Sequence, residues 1–150
     1  MKIGAMLYLL RHGDAEHETE DDFARRLTPK GERQARAAGA ALAALGAEIE
    51  ACLTSPKVRA AETARLACES LPGIEPEIAP QLAAGGFDSL ALSAGRGDVL
   101  LVGHEPDLSA EVARLTGAKV KLRKGGLAIL EPSLLQALLR PSDLKLIAAS

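Results

Sequence analysis

The sequence contains very few aromatic residues. Only 2% of its 150 residues are aromatic, and there is no Trp. Proteins that bind single-stranded nucleic acid use aromatic side chains as stacking platforms, so nucleic-acid binding is not expected. The formal net charge of −2 also argues against a general polyanion binder, because such proteins usually carry a clear basic excess. The core must therefore be built from Leu, Ala, Val and Ile.

Cysteines and long apolar runs are also scarce. Cys52 and Cys68 fit no metal-ligand spacing, and two thiols in a chain of this size are expected to be buried and reduced. No apolar run reaches membrane-spanning length. Residues 1–10 continue into Arg11 without a small-residue cleavage site, which favours a strand over a signal peptide. These features predict a cytoplasmic protein with no membrane contact, and the small size and few aromatics favour a monomer.

The remaining composition is that of an ordinary globular protein. Hydrophobic residues make up 47% of the chain and charged residues 25%, which suits one domain over residues 1–150. Short apolar runs alternate with helix-forming stretches. The predicted strands are residues 5–11, 49–54, 74–78, 98–102, 120–122 and 127–131, with 134–139 as an edge strand ended by Pro141. Helices are expected from Pro29 to Leu45, from Pro56 to Leu71, weakly over 87–93, and from Pro106 to Gly117.

Two short motifs predict where the first two helices begin. Thr28-Pro29 places an N-cap residue before a proline at the first helical position, and Gly46 follows as a stop signal. Ser55-Pro56 repeats this pattern in front of the second helix. Because strands alternate with helices, we expect right-handed crossovers and a mostly parallel sheet.

Ligands bind such sheets beyond the carboxyl ends of the strands. Three of the predicted strands are followed at once by polar sequences of similar character. These sequences are Arg11-His12-Gly13, Ser55-Pro56-Lys57-Val58-Arg59 and Gly103-His104-Glu105. The topology therefore brings two histidines and two arginines to one edge of the sheet.

These residue types suit phosphate chemistry. Phosphoryl transfer requires positioning and stabilisation of negative charge on three oxygens, and the planar forks of Arg11 and Arg59 match that geometry. A neutral His12 can attack phosphorus as a nucleophile. His104 as an imidazolium would donate to the transferring group, and Gly13 would let the backbone approach the His12 ring. The cations are side chains, so no metal or cofactor is expected.

The motifs together resemble the histidine phosphatase superfamily. The chain contains them in the family order and over nearly its whole length, and its Arg-His-Gly-Asp-Ala start is most similar to the small SixA-type phosphohistidine phosphatases. The resemblance implies a phosphoglycerate mutase-like fold, an α/β/α sandwich of three layers with a mostly parallel central sheet. The matching sequences are Arg11-His12-Gly13, Leu27-Thr28-x-x-Gly31, Ser55-Pro56-x-x-Arg59-Ala60-x-x-Thr63 and Val102-Gly103-His104-Glu105-Pro106.

The resemblance also implies roles for individual residues. The reaction would pass through a phosphohistidine on His12, with Arg11, Arg59 and His104 as the phosphate pocket. Arg25 matches a family position near that pocket, although a surface charge is an equally good interpretation. Gly13 is expected to belong to the same substrate-binding region.

One departure from the family pattern bears on the substrate. Larger members carry a glutamate general acid on an inserted loop, whereas residues 81–86 here contain no carboxylate. Without a proton donor, which typically contributes ~10²–10⁴-fold, alkyl phosphates should react slowly. We therefore expect the partner to be a protein that carries phosphohistidine. The alternatives are a small-metabolite phosphomonoesterase and a phosphoprotein-binding regulator with weak turnover.

Overall fold

The computed structural model describes residues 5–17 and 20–150. They form a six-stranded sheet with the order β3-β2-β4-β1-β5-β6, flanked by helices. The strands are β1 (Leu7–Arg11), β2 (Ala51–Thr54), β3 (Pro76–Ile78), β4 (Val99–Gly103), β5 (Leu127–Glu131) and β6 (Leu134–Leu139). The helices are α1 (Pro29–Ala44), α2 (Val58–Cys68), α3 (Ser89–Ser93), α4 (Asp107–Thr116) and α5 (Pro141–Ala148), with a 3₁₀ turn at Pro80–Ala83.

The predicted mostly parallel sheet is confirmed. β1, β2, β3 and β4 run parallel, β5 is antiparallel to β1, and β6 is antiparallel to β5. Successive side chains of a strand point to opposite faces, and both faces of β1 are covered. Leu7 and Leu9 pack in one apolar cluster, while Tyr8 and Leu10 pack in the other. A strand buried on both faces explains why the run 7–10 has no polar alternation.

The three-layer arrangement expected from the resemblance is also confirmed. α1, α2 and α5 contribute to the apolar cluster on one face of the sheet. α4 and the 3₁₀ turn contribute to the cluster on the other face. Small residues predominate where α1 and α2 meet the sheet, with Ala38, Ala41, Ala60, Ala64 and Ala67 all buried.

The start of α1 agrees with the prediction, and the start of α2 does not. The Thr28 hydroxyl accepts a hydrogen bond from the Gly31 N–H at 3.1 Å, as an N-cap should. The second helix begins only at Val58, after Lys57, which makes no side-chain cap. Ser55 accepts from the Lys57 N–H at 3.2 Å and also contacts His104, so Ser55-Pro56 forms a turn ahead of the helix. The expectation that α2 begins at Pro56 was therefore wrong.

Two further expectations are corrected near the carboxyl terminus. Pro141 was expected to end a strand, and it does follow β6, but it also opens α5 at the first helical position. The strand expected at 120–122 does not form. The Leu122 N–H donates to Glu105 Oε2 at 3.1 Å, and the Leu122 carbonyl accepts from Arg11 Nη1 at 2.9 Å. These side-chain bonds take the place of the ladder bonds a strand would need.

The central strands align their carboxyl ends at one edge. Arg11 pairs with Gly103 across β1 and β4, and Thr54 pairs with Val102 across β2 and β4. The predicted site residues therefore follow the carboxyl ends of the three central strands, β2, β4 and β1. Among the described residues, no helix combines the length and apolar character needed to cross a lipid bilayer.

Candidate active site

His12 is held by two contacts, one made by its backbone and one made by its ring. The backbone N–H of His12 donates to the Gly103 carbonyl at 3.1 Å, which extends the β1–β4 pairing by one residue. Its Nδ1 lies 2.7 Å from the Gly13 carbonyl. A carbonyl can only accept, so Nδ1 carries the proton and Nε2 carries the lone pair. The side chain is only 6% exposed, and the contact with Gly13 sets which nitrogen is available for reaction.

The environment of His12 favours its neutral form. The pKa of His12 is lowered to about 4, mainly by burial and to a smaller extent by the charges of Arg59, Arg11 and Lys124. The hydrogen bond to the Gly13 carbonyl acts in the opposite direction but is weaker than burial. At pH 7 the ring is therefore uncharged, as a nitrogen nucleophile requires.

Gly13 positions the loop, and its backbone groups are both occupied. Its carbonyl accepts from His12, and its N–H donates to Thr63 Oγ1 at 3.0 Å. A Cβ on Gly13 would lie 2.6 Å from the Gly31 carbonyl oxygen, and one on Gly31 would lie 1.9 Å from the Asp14 carbonyl oxygen. The glycine is thus required because the loop packs against the first turn of α1. The sequence predicted that Gly13 is needed so that the backbone can approach the His12 ring. That reason explains the contact between the Gly13 carbonyl and Nδ1 but not the packing of Gly13 against Gly31.

Arg11 ends β1 and is half-buried. Its Nη1 donates to the Leu122 carbonyl at 2.9 Å. Burial lowers the pKa of Arg11, and the charge of Glu105 opposes this effect. Glu105 also accepts from the Leu122 N–H, so one residue of the 119–124 segment joins Glu105 to Arg11. This role of Glu105 was not predicted, since a glutamate before a helix is usually a charge that favours the helix start.

Arg59 lies in the first turn of α2 and is 6% exposed. Its Nη1 donates to the Asp22 carbonyl at 2.8 Å, and its Nη2 lies 3.4 Å from Asp22 Oδ2. The Thr63 hydroxyl donates to the Arg59 carbonyl at 2.7 Å and accepts from Gly13. A single threonine therefore links the loop that carries His12 to the helical turn that carries Arg59.

His104 follows β4 and faces His12. The two ring centroids are 5.3 Å apart with planes inclined by 54°. Nε2 of His104 lies 2.7 Å from Ser55 Oγ. Burial, followed by the charges of His12, Arg59 and Lys57, lowers the pKa of His104 to about 3. His104 is therefore neutral among these neighbours, and the imidazolium expected from the sequence requires an additional negative charge beside the ring.

Arg25 is linked to Arg59 through Asp22, which contacts both side chains. Its Nη1 donates to Asp22 Oδ1 at 3.0 Å, and its Nε donates to the Glu16 carbonyl at 2.8 Å. Lys57 Nζ lies 3.3 Å from Asp22 Oδ2, so Asp22 joins Arg25, Lys57 and Arg59. Hydrogen bonding from Arg25 is the largest cause that lowers the pKa of Asp22 to about 2. The acidic stretch 14–22, interpreted as solvated loop, lies partly outside the described residues.

Three buried nitrogens around His12 have no hydrogen-bond partner within residues 5–17 and 20–150. They are Arg11 Nε, Arg59 Nε and His104 Nδ1. A buried donor without an acceptor costs about 1–3 kcal/mol, so several in one place indicate a site built for a ligand that accepts hydrogen bonds. Two fixed positive charges in the same group favour an anion with several oxygens.

The sheet order and the three layers match phosphoglycerate mutase-like α/β structures. The sequence profile of the histidine phosphatase superfamily (branch 1) matches residues 7–87, and the chain belongs to this superfamily.

The chain is also similar to several known proteins. An uncharacterised protein of Picosynechococcus sp. is 34% identical over 134 residues, which covers 81% of each chain. The structure of the protein histidine phosphatase SixA complexed with tungstate is 26% identical with a TM-score of 0.81, and the match covers 93% of this chain and 99% of that one. A putative phosphohistidine phosphatase SixA from Agrobacterium tumefaciens has a TM-score of 0.82 at 24% identity, over 91% and 99% of the two chains. The latter similarity concerns the fold.

Proposed function

We propose that the protein hydrolyses phosphohistidine on a protein partner through a covalent phosphohistidine on His12. The observation that carries the proposal is the combination of a His12 Nε2 lone pair with unpartnered nitrogens on Arg11, Arg59 and His104. A phosphoryl group supplies the acceptor oxygens that these nitrogens lack. The similarity to SixA complexed with tungstate, an oxyanion, supports the same interpretation.

The proposed first step transfers the phosphoryl group to His12. Arg11 and Arg59 hold the phosphoryl oxygens by charged hydrogen bonds. The Nε2 lone pair attacks phosphorus in line, and the bond between phosphorus and the leaving nitrogen breaks with its electron pair on that nitrogen. The negative phosphoryl group raises the pKa of His104, which takes up a proton from solvent when substrate binds and donates to the transferring oxygens as an imidazolium. His104 returns this proton to solvent when phosphate leaves.

The second step regenerates the enzyme. Water attacks the phosphorus of phospho-His12, and the bond to Nε2 breaks with its electron pair on Nε2. The oxygen of the water becomes part of the inorganic phosphate, and one proton of the water is released to solvent. The Gly13 carbonyl holds the Nδ1 proton throughout, so Nε2 is again unprotonated and ready for the next turnover.

Two carboxylates near the site, those of Asp22 and Glu105, are engaged as hydrogen-bond acceptors, which supports phosphohistidine as substrate. Asp22 is ionised because its pKa is lowered to about 2. Glu105 accepts hydrogen bonds from the Ser109 N–H and hydroxyl and from the Leu122 N–H, so both oxygens are engaged as acceptors. A phosphohistidine whose ring carries a proton leaves as neutral imidazole and needs no acid. An alkoxide leaving group would need one.

We further propose that the enzyme acts as a metal-independent monomer in the cytoplasm. The positive charges that a metal would supply are present as Arg11 and Arg59. Cys52 and Cys68 are both free thiols, which suits a reducing compartment.

The nucleophile is tested by trapping the phosphoenzyme. Brief incubation with a radiolabelled phosphodonor should give an acid-labile, base-stable label on the protein. His12→Ala should carry no label, whereas His17→Ala, which removes an exposed histidine, should be labelled like the wild type. A wild-type level of label on His12→Ala would refute the assignment.

The substrate class is tested by varying the leaving group. Phosphohistidine, aryl phosphates and alkyl phosphates should be compared under conditions in which phosphoenzyme formation limits the rate. We expect a steep dependence of this rate on leaving-group pKa, with alkyl phosphates slowest. A flat dependence would show that an acid operates, and it would favour the small-metabolite phosphomonoesterase instead.

A further inference from the structure

A basic cleft opens beside Arg11, outside the group formed by His12, Arg59 and His104. Two adjoining cavities of about 500 and 570 Å³ share Lys30, Gln34 and Pro141 in their walls. The first also includes Arg11. We define the basic cleft by its six exposed cations, which are Lys30, Arg33, Lys121, Arg123, Lys124 and Lys145.

The charge of the cleft differs from that of the chain as a whole. The formal net charge is −2, yet six exposed cations and Arg11 line the cleft with only one carboxylate, Asp14. Asp14 lies 3.8 Å from Lys124 and accepts from the Thr28 hydroxyl at 2.7 Å. Within the described part of the chain, the other five exposed cations form no ion pair with a carboxylate. This concentration of unneutralised charge attracts an anionic partner.

The cleft is structurally joined to the phosphate site. Lys121 and Arg123 flank Leu122, whose carbonyl accepts from Arg11. Arg11 also lines the first cavity together with Lys30 of α1 and Pro141 of α5, so Arg11 borders both the basic cleft and the group around His12. A phosphohistidine side chain bound at His12 would bring the residues around it on the partner's surface over these cations.

The character of the cleft favours protein over nucleic acid. None of the three aromatic residues lines it, so it lacks surfaces on which bases could stack. The lysines and arginines of the cleft lie on separate elements, so they can pair with carboxylates spread over a protein surface. We infer that the basic cleft docks an acidic surface that surrounds the phosphohistidine of the partner protein, which deepens the proposed function and depends on it.

The test compares two phosphohistidine peptides of identical length, one flanked by glutamates and the other by glutamines. The wild type should hydrolyse the glutamate peptide with a higher kcat/KM, by on the order of tenfold at low salt. This preference should largely disappear near 1 M salt, where the Debye length is about 3 Å. Hydrolysis of p-nitrophenyl phosphate, which carries no flanking peptide, measures the chemistry alone.

Charge-reversal variants identify the surface. Arg33→Glu and Lys121→Glu should each reduce the preference for the glutamate peptide about threefold to tenfold, with p-nitrophenyl phosphate hydrolysis unchanged. Arg65→Glu makes the same charge change on an exposed position of α2 outside the cleft and should leave the preference intact. Polyglutamate should compete with the glutamate peptide more effectively than an oligodeoxynucleotide of equal charge.

The possible failures are distinguishable. Equal hydrolysis of the two peptides, or a preference that Arg33→Glu and Lys121→Glu leave intact, would overturn the docking inference alone. Stronger competition by the oligodeoxynucleotide would make the cleft a nucleic-acid site and would also overturn it. Hydrolysis of p-nitrophenyl phosphate without hydrolysis of either peptide would overturn the proposed phosphohistidine substrate, and the docking inference with it.

Discussion

Replacing His12 by asparagine should make the protein less sensitive to acid. The asparagine amide can still donate to the Gly13 carbonyl, as Nδ1 does, but it does not titrate. In the wild type, burial lowers the pKa of His12 from 6.5 to about 4. The unfolded chain therefore binds this proton before the folded protein does, and stability is lost as pH falls from about 6.5 to about 4.

The size of the effect follows from these two pKa values. At pH 5 an unfolded histidine is mostly protonated and the folded His12 is mostly neutral. Linkage then gives, from His12 alone, a loss of about 2 kcal/mol in the free energy of unfolding at pH 5, relative to pH 8. For a chain of this length, that loss corresponds to a decrease of about 4–8 °C in Tm.

The assay is urea unfolding at pH 8 and at pH 5, followed by circular dichroism. His12→Asn should lose about 2 kcal/mol less than the wild type between these pH values, whatever its stability at pH 8. The matched control is His17→Asn, which removes an exposed histidine and should lose as much as the wild type. Equal losses in the wild type and His12→Asn would refute the conclusion that His12 is held neutral by burial.

Two other predictions concern catalysis. Arg59→Lys removes the guanidinium Nε, which has no partner among the described residues and is proposed to meet a phosphoryl oxygen. We expect kcat/KM to fall by about 10²–10³-fold, as on removal of an oxyanion donor. Arg65→Lys makes the same change on the exposed part of α2 and should retain full kcat/KM, and near-wild-type activity of Arg59→Lys would exclude Arg59 from the site. Activity should also survive exhaustive chelation, because side chains supply the positive charge. Loss of activity that one added divalent metal restores would contradict this mechanism.

Much of the fold was predictable because local signals agree with the tertiary environment. The apolar run 7–10 is buried on both faces of the sheet, and Thr28-Pro29 caps a helix as its sequence indicates. The strand predicted at 120–122 does not form, because the apolar–polar alternation there arises from exposed cations on either side of Leu122. The backbone of Leu122 instead bonds to the side chains of Glu105 and Arg11, 17 and 111 positions away. α5 was missed because Pro141 can either end a strand or begin a helix, and it does both.

The placement of the candidate site residues, as distinct from their roles, was predictable from the sheet topology. Parallel strands share an edge, so the placement of His12, Arg59 and His104 at adjacent strand ends required no knowledge of side-chain contacts. The contacts of Ser55 with His104 and of Asp22 with Arg59 join residues 49 and 37 positions apart. No local pattern marks such pairs, because they depend on how loops from different strands fold over the edge.

The contact between Gly13 and Gly31 has a consequence for how this enzyme can change in evolution or in the laboratory. The loop that carries His12 rests on the backbone of α1, with no side chain between them. A helix backbone is far stiffer than a loop, so the position of Nε2 depends on where α1 lies on the sheet. Substitutions along the buried face of α1, distant from phosphate, should therefore alter the reaction rate through the alignment of attack.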